Sequence, residues 1–191
     1  MSGDQVDYLP IFYQIKQRTC LVVGGGAVAA RKVSLLQKAG ADVLVVSPQL
    51  CDELEQLKSI GKIRHQQRGY RSEDLQDCVL VIAATDQADL NERISLEAGS
   101  RHTPVNVVDN PALCSFIMPS IIDRSPVQIA VSTGGASPVL ARLIRTRLEG
   151  LIPAAYGKLG ALVEGFRDRV KTAFPRVEQR RNFWETILEG T

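Results

Sequence analysis

Apolar residues fall along the first half of the chain in short unbroken runs: Cys20-Leu21-Val22-Val23, Val43-Leu44-Val45-Val46 and Val79-Leu80-Val81-Ile82-Ala83, with a fifth strand expected at Pro104-Val105-Asn106-Val107-Val108-Asp109. A run of four or five apolar residues without alternation belongs to a strand buried on both faces, as in a parallel sheet. Between these runs the spacing turns helical. Val28, Ala29, Val33 and Leu36 share one face of a helix that Gly40 should end. A shorter helix is expected from Asp52 to Ile60, and Leu90, Ile94 and Ala98 mark another that runs to Gly99. The polar strand at Ile63 to Gln67 should lie near a sheet edge. Strand and helix in alternation predict an α/β fold, a Rossmann-like parallel sheet with helices on both faces.

From residue 111 the pattern changes. Ser115 to Asp123 and Val127 to Ser132 read as two strands joined by Arg124-Ser125-Pro126, an antiparallel hairpin. Ser137 then reads as an N-cap with Pro138 in the first helical position, and Gly150 as the stop. A longer amphipathic helix over residues 153–174 carries Leu159, Leu162, Val163 and Phe166, and a last one from Glu178 to Leu188 includes Phe183, Trp184 and Ile187. These patterns divide the chain into a nucleotide-binding domain (1–112), a hairpin-and-helix region for dimerisation and substrate binding (113–150) and a helical region (151–191). Exposed hairpin edges invite pairing with another subunit, so a homodimer is expected. The aromatic knot Tyr8-Leu9-Pro10-Ile11-Phe12-Tyr13 should lie against the sheet edge. The chain stops soon after Trp184, as it would ahead of a downstream domain.

Composition narrows the classes. The 23 basic and 21 acidic residues nearly cancel, and aromatic residues make up only 5% of the chain, so neither a global field nor stacking platforms argue for nucleic acid. Cys20, Cys51, Cys78 and Cys114 form no CxxC pair, which points to buried thiols in a reducing compartment rather than a disulfide frame or a metal site. The N-terminus has no secretory pattern and no run has the length of a membrane span, so a cytoplasmic protein is expected.

The chemistry concentrates after the strands. Gly24-Gly25-Gly26 follows the first strand and opens a helix, with Gly24 for the tight turn, Gly26 for close phosphate approach and Ala29 as the third small residue; this is a modified dinucleotide fingerprint. Ser47 stands where an acidic residue usually takes the ribose hydroxyls, and no arginine follows to receive a 2′-phosphate, so NAD and NADP are not separated by these residues alone. In a doubly wound sheet ligands sit beyond the carboxyl ends of the strands, which brings Thr85 and Asp86 beside the glycine turn and points Asp109 at the same crevice. Asp109 has an alternative role, capping the turn formed with Asn110-Pro111. A second glycine turn, Ser132-Thr133-Gly134-Gly135, leads into a helix bearing Arg142 and Arg145 and is another candidate anion site. Against this stands a solvated basic face, with Arg145 paired to Glu149. His65 and His102 are poorly placed as general bases, which leaves Asp109.

The runs Val23-Gly24-Gly25-Gly26-Ala27-Val28-Ala29 with Arg31-Lys32, Ala83-Ala84-Thr85-Asp86, Asn106-Val107-Val108-Asp109, Ser115-Phe116-Ile117-Met118-Pro119-Ser120 and Ser132-Thr133-Gly134-Gly135-Ala136-Ser137-Pro138 occur in one order. Together they resemble the precorrin-2 dehydrogenase and sirohydrochlorin ferrochelatase module of sirohaem synthases, over residues 8 to 185. The resemblance implies NAD-dependent oxidation of precorrin-2 to sirohydrochlorin, then insertion of ferrous iron as a substrate, with Asp109 as the base for both. It implies a cofactor site at Gly24, Gly25, Gly26, Ala27, Val28, Ser47, Pro48, Gln49, Thr85 and Asp86. The substrate side would include Asn106, Ser132, Thr133, Gly134, Gly135 and Arg142, with no permanent protein metal site. Many members of this family continue into a methyltransferase. Two rivals remain: a dehydrogenase without chelatase activity, and a non-catalytic NAD-sensing module that would not need Asp109.

Overall fold

The structure is a computed structural model and describes residues 7–189; the polar start of the chain and its last two residues lie outside the described residues. The chain divides into two compact units, up to Met118 and from Pro119 onward.

The first unit holds five parallel strands, β1 (Thr19–Val23), β2 (Asp42–Val46), β3 (Arg64–Gln66), β4 (Leu80–Ala83) and β5 (Val105–Val107), in the order β3-β2-β1-β4-β5. Helices α1 (Ala27–Lys38), α2 (Asp52–Ser59) and α3 (Ala88–Ser100) connect them. The unbroken apolar runs are explained by two cores. Cys20, Val22, Val43, Val45 and Ile82 face α1 and α2, where Ala29, Val33, Leu36 and Leu54 meet them. Leu21, Val23, Leu44, Val46 and Val81 face the opposite side with Ile94 and Ala98 of α3. Strand residues thus alternate between two apolar layers, and beyond the opening Thr19 of β1 and Asp42 of β2 every position on β1, β2 and β4 is apolar. The edge position expected for the polar strand is that of β3.

The chain winds outward from β1 to β3 and then returns to β4 on the other side of β1. This reversal puts the crevice between the carboxyl ends of β1 and β4, the usual ligand position of such sheets.

The second unit contains the hairpin β6 (Ser120–Arg124) and β7 (Val127–Val131), antiparallel as expected, and helices α4 (Pro138–Leu151), α5 (Ala155–Ala173) and α6 (Val177–Leu188). Helix α5 docks on the hairpin turn through glycines: a Cβ at Gly157 would meet the Ser125 carbonyl oxygen at 3.0 Å, and one at Gly160 would meet Pro126 Cγ at 3.0 Å. The core is thin. Ile122, Ala141 and Val170 are its buried apolar side chains among the described residues, while Val139, Leu143, Leu151, Leu162, Phe166 and Val177 remain exposed.

Three local expectations change. The first hairpin strand begins at Ser120, not Ser115, because residues 114–116 are hydrogen-bonded back to β5: the Ser115 N–H donates to the Val105 carbonyl (2.9 Å) and the Asn106 amide donates to the Phe116 carbonyl (3.0 Å). Gly150 does not end α4, which runs through it to Leu151; Pro153 disfavours helical geometry at Ile152 and stops it there. The aromatic knot does not pack on the sheet. Leu9, Ile11 and Phe12 are each 70–82% exposed, and Tyr13 reaches the sheet only through its hydroxyl, which donates to the Val79 carbonyl (3.3 Å). No helix among the described residues is long and apolar enough to cross a membrane.

Candidate active site

The three glycines do three different jobs. Gly24 has φ +120° and lies against the exit of β4: a Cβ there would meet the Ala84 carbonyl carbon at 2.8 Å and the Thr85 nitrogen at 3.4 Å. Gly25 lies against the loop after β2, where a Cβ would strike the Gln49 carbonyl oxygen and approach Ser47 Oγ to 2.7 Å. Its own carbonyl accepts from the Cys51 N–H (2.8 Å), which ties that loop to the turn. Gly26 is different. It is exposed, it is the N-cap of α1 with no side-chain cap, and a Cβ there would meet nothing within 4 Å.

Gly24 and Gly25 are therefore glycines because neighbouring backbone requires it, and Gly26 faces open space above uncapped N–H groups at the positive end of a helix. These features fit the pyrophosphate of a dinucleotide. Ala27 and Val28 supply the N–H groups, and the exits of β2 and β4 flank them.

The flanking residues are less free than their positions imply. Ser47 is buried and its hydroxyl donates to the Gln49 carbonyl (2.7 Å), so it shapes the loop; Pro48 and Gln49 are exposed beside it. The Thr85 hydroxyl is 2.7 Å from Asn91 Oδ1 and accepts from the Gln87 N–H (3.2 Å), while the Asn91 amide donates to the Thr85 carbonyl (3.0 Å). That network starts α3. Asp86 is exposed next to it.

Asp109 follows β5 at the same end of the sheet. The ladder continues for one bond beyond the strand, from the Val108 N–H to the Ala83 carbonyl (2.9 Å), and the chain then turns with Asp109 at φ +59°. A non-glycine residue in the left-handed region is uncommon, although Asp tolerates it better than most. The Asp109 carboxylate is exposed and accepts no hydrogen bond among the described residues, so it does not cap its turn. Cys114 braces that turn instead. Its sulfur donates to the Val107 carbonyl (3.2 Å) and lies 3.3 Å from the Asn110 carbonyl, and the Val107 N–H donates to it (3.1 Å). In the sequence Cys114 reads only as a small hydrophobe; its spacing of five residues from Asp109 is the one signal that it acts on the turn.

Asn106, expected on the substrate side, is buried and its amide holds Phe116. It positions the segment after Asp109.

The second glycine turn belongs to the second unit. Gly134 and Gly135 have φ +63° and +87°, with open space where their Cβ atoms would be. Thr133 Oγ1 accepts from the Ser137 N–H (3.0 Å), Ser132 Oγ accepts from the Gly134 N–H (3.1 Å), and Ser137 Oγ caps α4 by accepting from the Leu140 N–H (3.2 Å). Arg145 is paired to Glu149 (2.6 Å), as the solvated-face alternative requires. Arg142 is exposed and forms no ion pair among the described residues.

Comparison with known proteins follows this division. A family model described as "Putative NAD(P)-binding" matches residues 11–120, one described as sirohaem biosynthesis protein central matches 124–151, and one described as sirohaem synthase dimerisation region matches 155–191. The chain is thus a member of an NAD(P)-binding family. The match to the dimerisation-region model covers α5 and α6.

The sirohaem synthase of Thioalkalivibrio sulfidiphilus is 60% identical over 97% of the chain and 38% of its own length, and that of Nitrosospira multiformis is 58% identical over 97% and 40%. Over 97% of its length the chain is similar to these sirohaem synthases, and it spans about two fifths of the length of the curated relatives it matches. Among solved structures, SirC, a precorrin-2 dehydrogenase, superposes with a TM-score of 0.79 at 23% identity, covering 94% of this chain and 89% of the other. At that identity the likeness establishes the shared fold.

Proposed function

We propose that this chain oxidises precorrin-2 to sirohydrochlorin with NAD and then catalyses insertion of ferrous iron to give sirohaem, with Asp109 as the base. The observation that carries the reading is the state of Asp109: an exposed, unpartnered carboxylate held on a left-handed turn at the same end of the sheet as the open glycine turn. NAD, when bound, supplies the hydride acceptor. Gly26, Ala27 and Val28 would hold its pyrophosphate.

Oxidation removes two hydrogens, one as hydride and one as a proton. Asp109 takes the proton, which a carboxylate without competing hydrogen bonds is free to do. The same group then accepts protons from pyrrole nitrogens as iron enters. Iron is a substrate here, bound by the macrocycle nitrogens. Precorrin-2 carries eight carboxylates, and the Ser132-Thr133-Gly134-Gly135 turn and Arg142 offer N–H groups and a guanidinium for them. The chain works as a homodimer: the thin core and exposed apolar helix faces of the second unit support this, as does the description of the family model there.

Anaerobic incubation with precorrin-2 and NAD, following NADH and the sirohydrochlorin spectrum before adding ferrous iron, tests the reading. Asp109→Asn is expected to lower turnover about 100-fold or more while NAD affinity stays unchanged. No NADH from competent precorrin-2 would sink the proposal, and iron insertion no faster than the uncatalysed control would reduce it to the dehydrogenase step. An NAD sensor would keep its ligand response in Asp109→Ala.

A further inference from the structure

Helices α5 and α6 turn at Pro175 and leave between them an open cavity of about 670 Å³ in the second unit. Arg167, Asp168 and Lys171 line it from α5, and Arg180, Arg181 and Trp184 line it from α6. Helical spacing explains the convergence: Arg167 and Lys171 lie one turn apart, and Arg180, Arg181 and Trp184 share one face of α6. Four cations and one carboxylate thus gather at one place in a chain whose 23 basic and 21 acidic residues nearly cancel. None of the residues named at the candidate active site lines this cavity. Its walls are tied down. Arg180 Nη1 donates to the Phe174 and Pro175 carbonyls (2.9 and 2.7 Å), which fixes the guanidinium at the end of α5 and leaves Nε and Nη2 without a partner among the described residues. The Phe183 ring contacts both Phe174 and Trp184, with centroids 5.1 Å apart in each pair, and so holds the half-buried indole at the wall. The Arg167 and Lys171 side chains are exposed and form no hydrogen bond or ion pair among the described residues.

We propose that this cavity binds a small anion carrying several carboxylate or phosphate groups on a ring. Guanidinium forks take oxyanions in bidentate fashion, and the indole offers a flat apolar surface to the ring. The volume falls within the range of small-molecule sites, about 300–1,000 Å³. A second copy of the chain is the poorer occupant, because a two-fold contact through this face would set its cations against their own copies. The site is independent of the role of Asp109 and of the reaction proposed above.

Trp184 is the single tryptophan of the chain, so its emission reads this cavity directly. The protein is titrated with benzenehexacarboxylate, with ATP and with citrate, a polycarboxylate that has no ring. A saturable change in Trp184 emission is expected with benzenehexacarboxylate or with ATP, and the tighter of the two tells whether carboxylate or phosphate is preferred. In Arg167→Gln and in Lys171→Gln the affinity should fall about tenfold or more, because a charge-assisted hydrogen bond to the anion is lost. Thermal unfolding should be unchanged in both variants, since neither side chain bonds within the fold. Citrate should bind about tenfold more weakly than the preferred ringed anion, as it cannot use the indole face. No response to either ringed anion, a response that survives both substitutions, or citrate binding as tight as theirs overturns the proposal. Dissociation of an oligomer in either variant assigns the cations to a contact between copies and overturns it as well.

Discussion

Replacing Gly25 or Gly26 by alanine separates folding from cofactor binding at adjacent positions. At Gly25 the new methyl collides with the Gln49 carbonyl and comes within 2.7 Å of Ser47 Oγ, so the loop after β2 must move away. That displacement breaks or stretches the bond from the Cys51 N–H to the Gly25 carbonyl and strains the Ser47 to Gln49 bond. Overpacking costs about 1–3 kcal/mol and a weakened hydrogen bond about 1 kcal/mol, so the sum is about 2–4 kcal/mol. For a protein of this size it corresponds to roughly 4–16 °C in Tm.

At Gly26 the methyl meets nothing, and the N-cap φ of −86° suits alanine. Losing glycine at an N-cap costs about 0.5–1 kcal/mol, roughly 1–4 °C. The methyl occupies the space through which a pyrophosphate must approach, so NAD affinity should fall about tenfold or more, equivalent to about 1.4 kcal/mol. Thermal unfolding followed by circular dichroism, with NAD titration by calorimetry, reads both. The reasoning is refuted if Gly26→Ala binds NAD as tightly as wild type, or if it unfolds as early as Gly25→Ala.

Two further outcomes are expected. The Glu97 carboxyl is pushed up by burial, but hydrogen bonds from Arg93 (2.8 Å), Tyr70 (2.7 Å) and Ser72 together outweigh this and bring it down to about 2 from an ordinary 4.5. Its stabilisation is therefore present above pH 4.5 and lost as pH falls toward 2; Glu97→Gln should remove about 1–2 kcal/mol at pH 7 and flatten the acid limb of a denaturant-stability profile. Thr85→Val should lower stability by about 1–3 kcal/mol, because Asn91 and the Gln87 N–H lose their partner at the start of α3. NAD affinity should change little in Thr85→Val, and a large affinity loss without a stability loss would return Thr85 to the cofactor.

Much of the first unit was legible because its strands are covered on both faces: unbroken apolar runs and helical stripes leave few alternative pairings. The glycine turn, the positions of Thr85 and Asp109 and the cap at Ser137 follow from local rules that any reader of the chain can apply. What each polar side chain does there was not legible. Whether Thr85 faces a ligand or a helix start, whether Asn106 is free or spent on Phe116, and whether Asp109 caps its turn depend on hydrogen-bond competition between residues 6 to 10 apart. Such competition leaves no periodic trace.

The sequence by itself determined the parallel sheet, the order of its elements and the family motifs, because burial on two faces and backbone geometry at glycine write themselves into residue type. Only the tertiary structure decided that Gly25 answers to Gln49, that Cys114 braces the turn at Asp109 and that the apolar knot near the N-terminus stays exposed. Those facts depend on which surfaces meet across the fold, and a contact between segments distant along the chain is a property of neither segment alone.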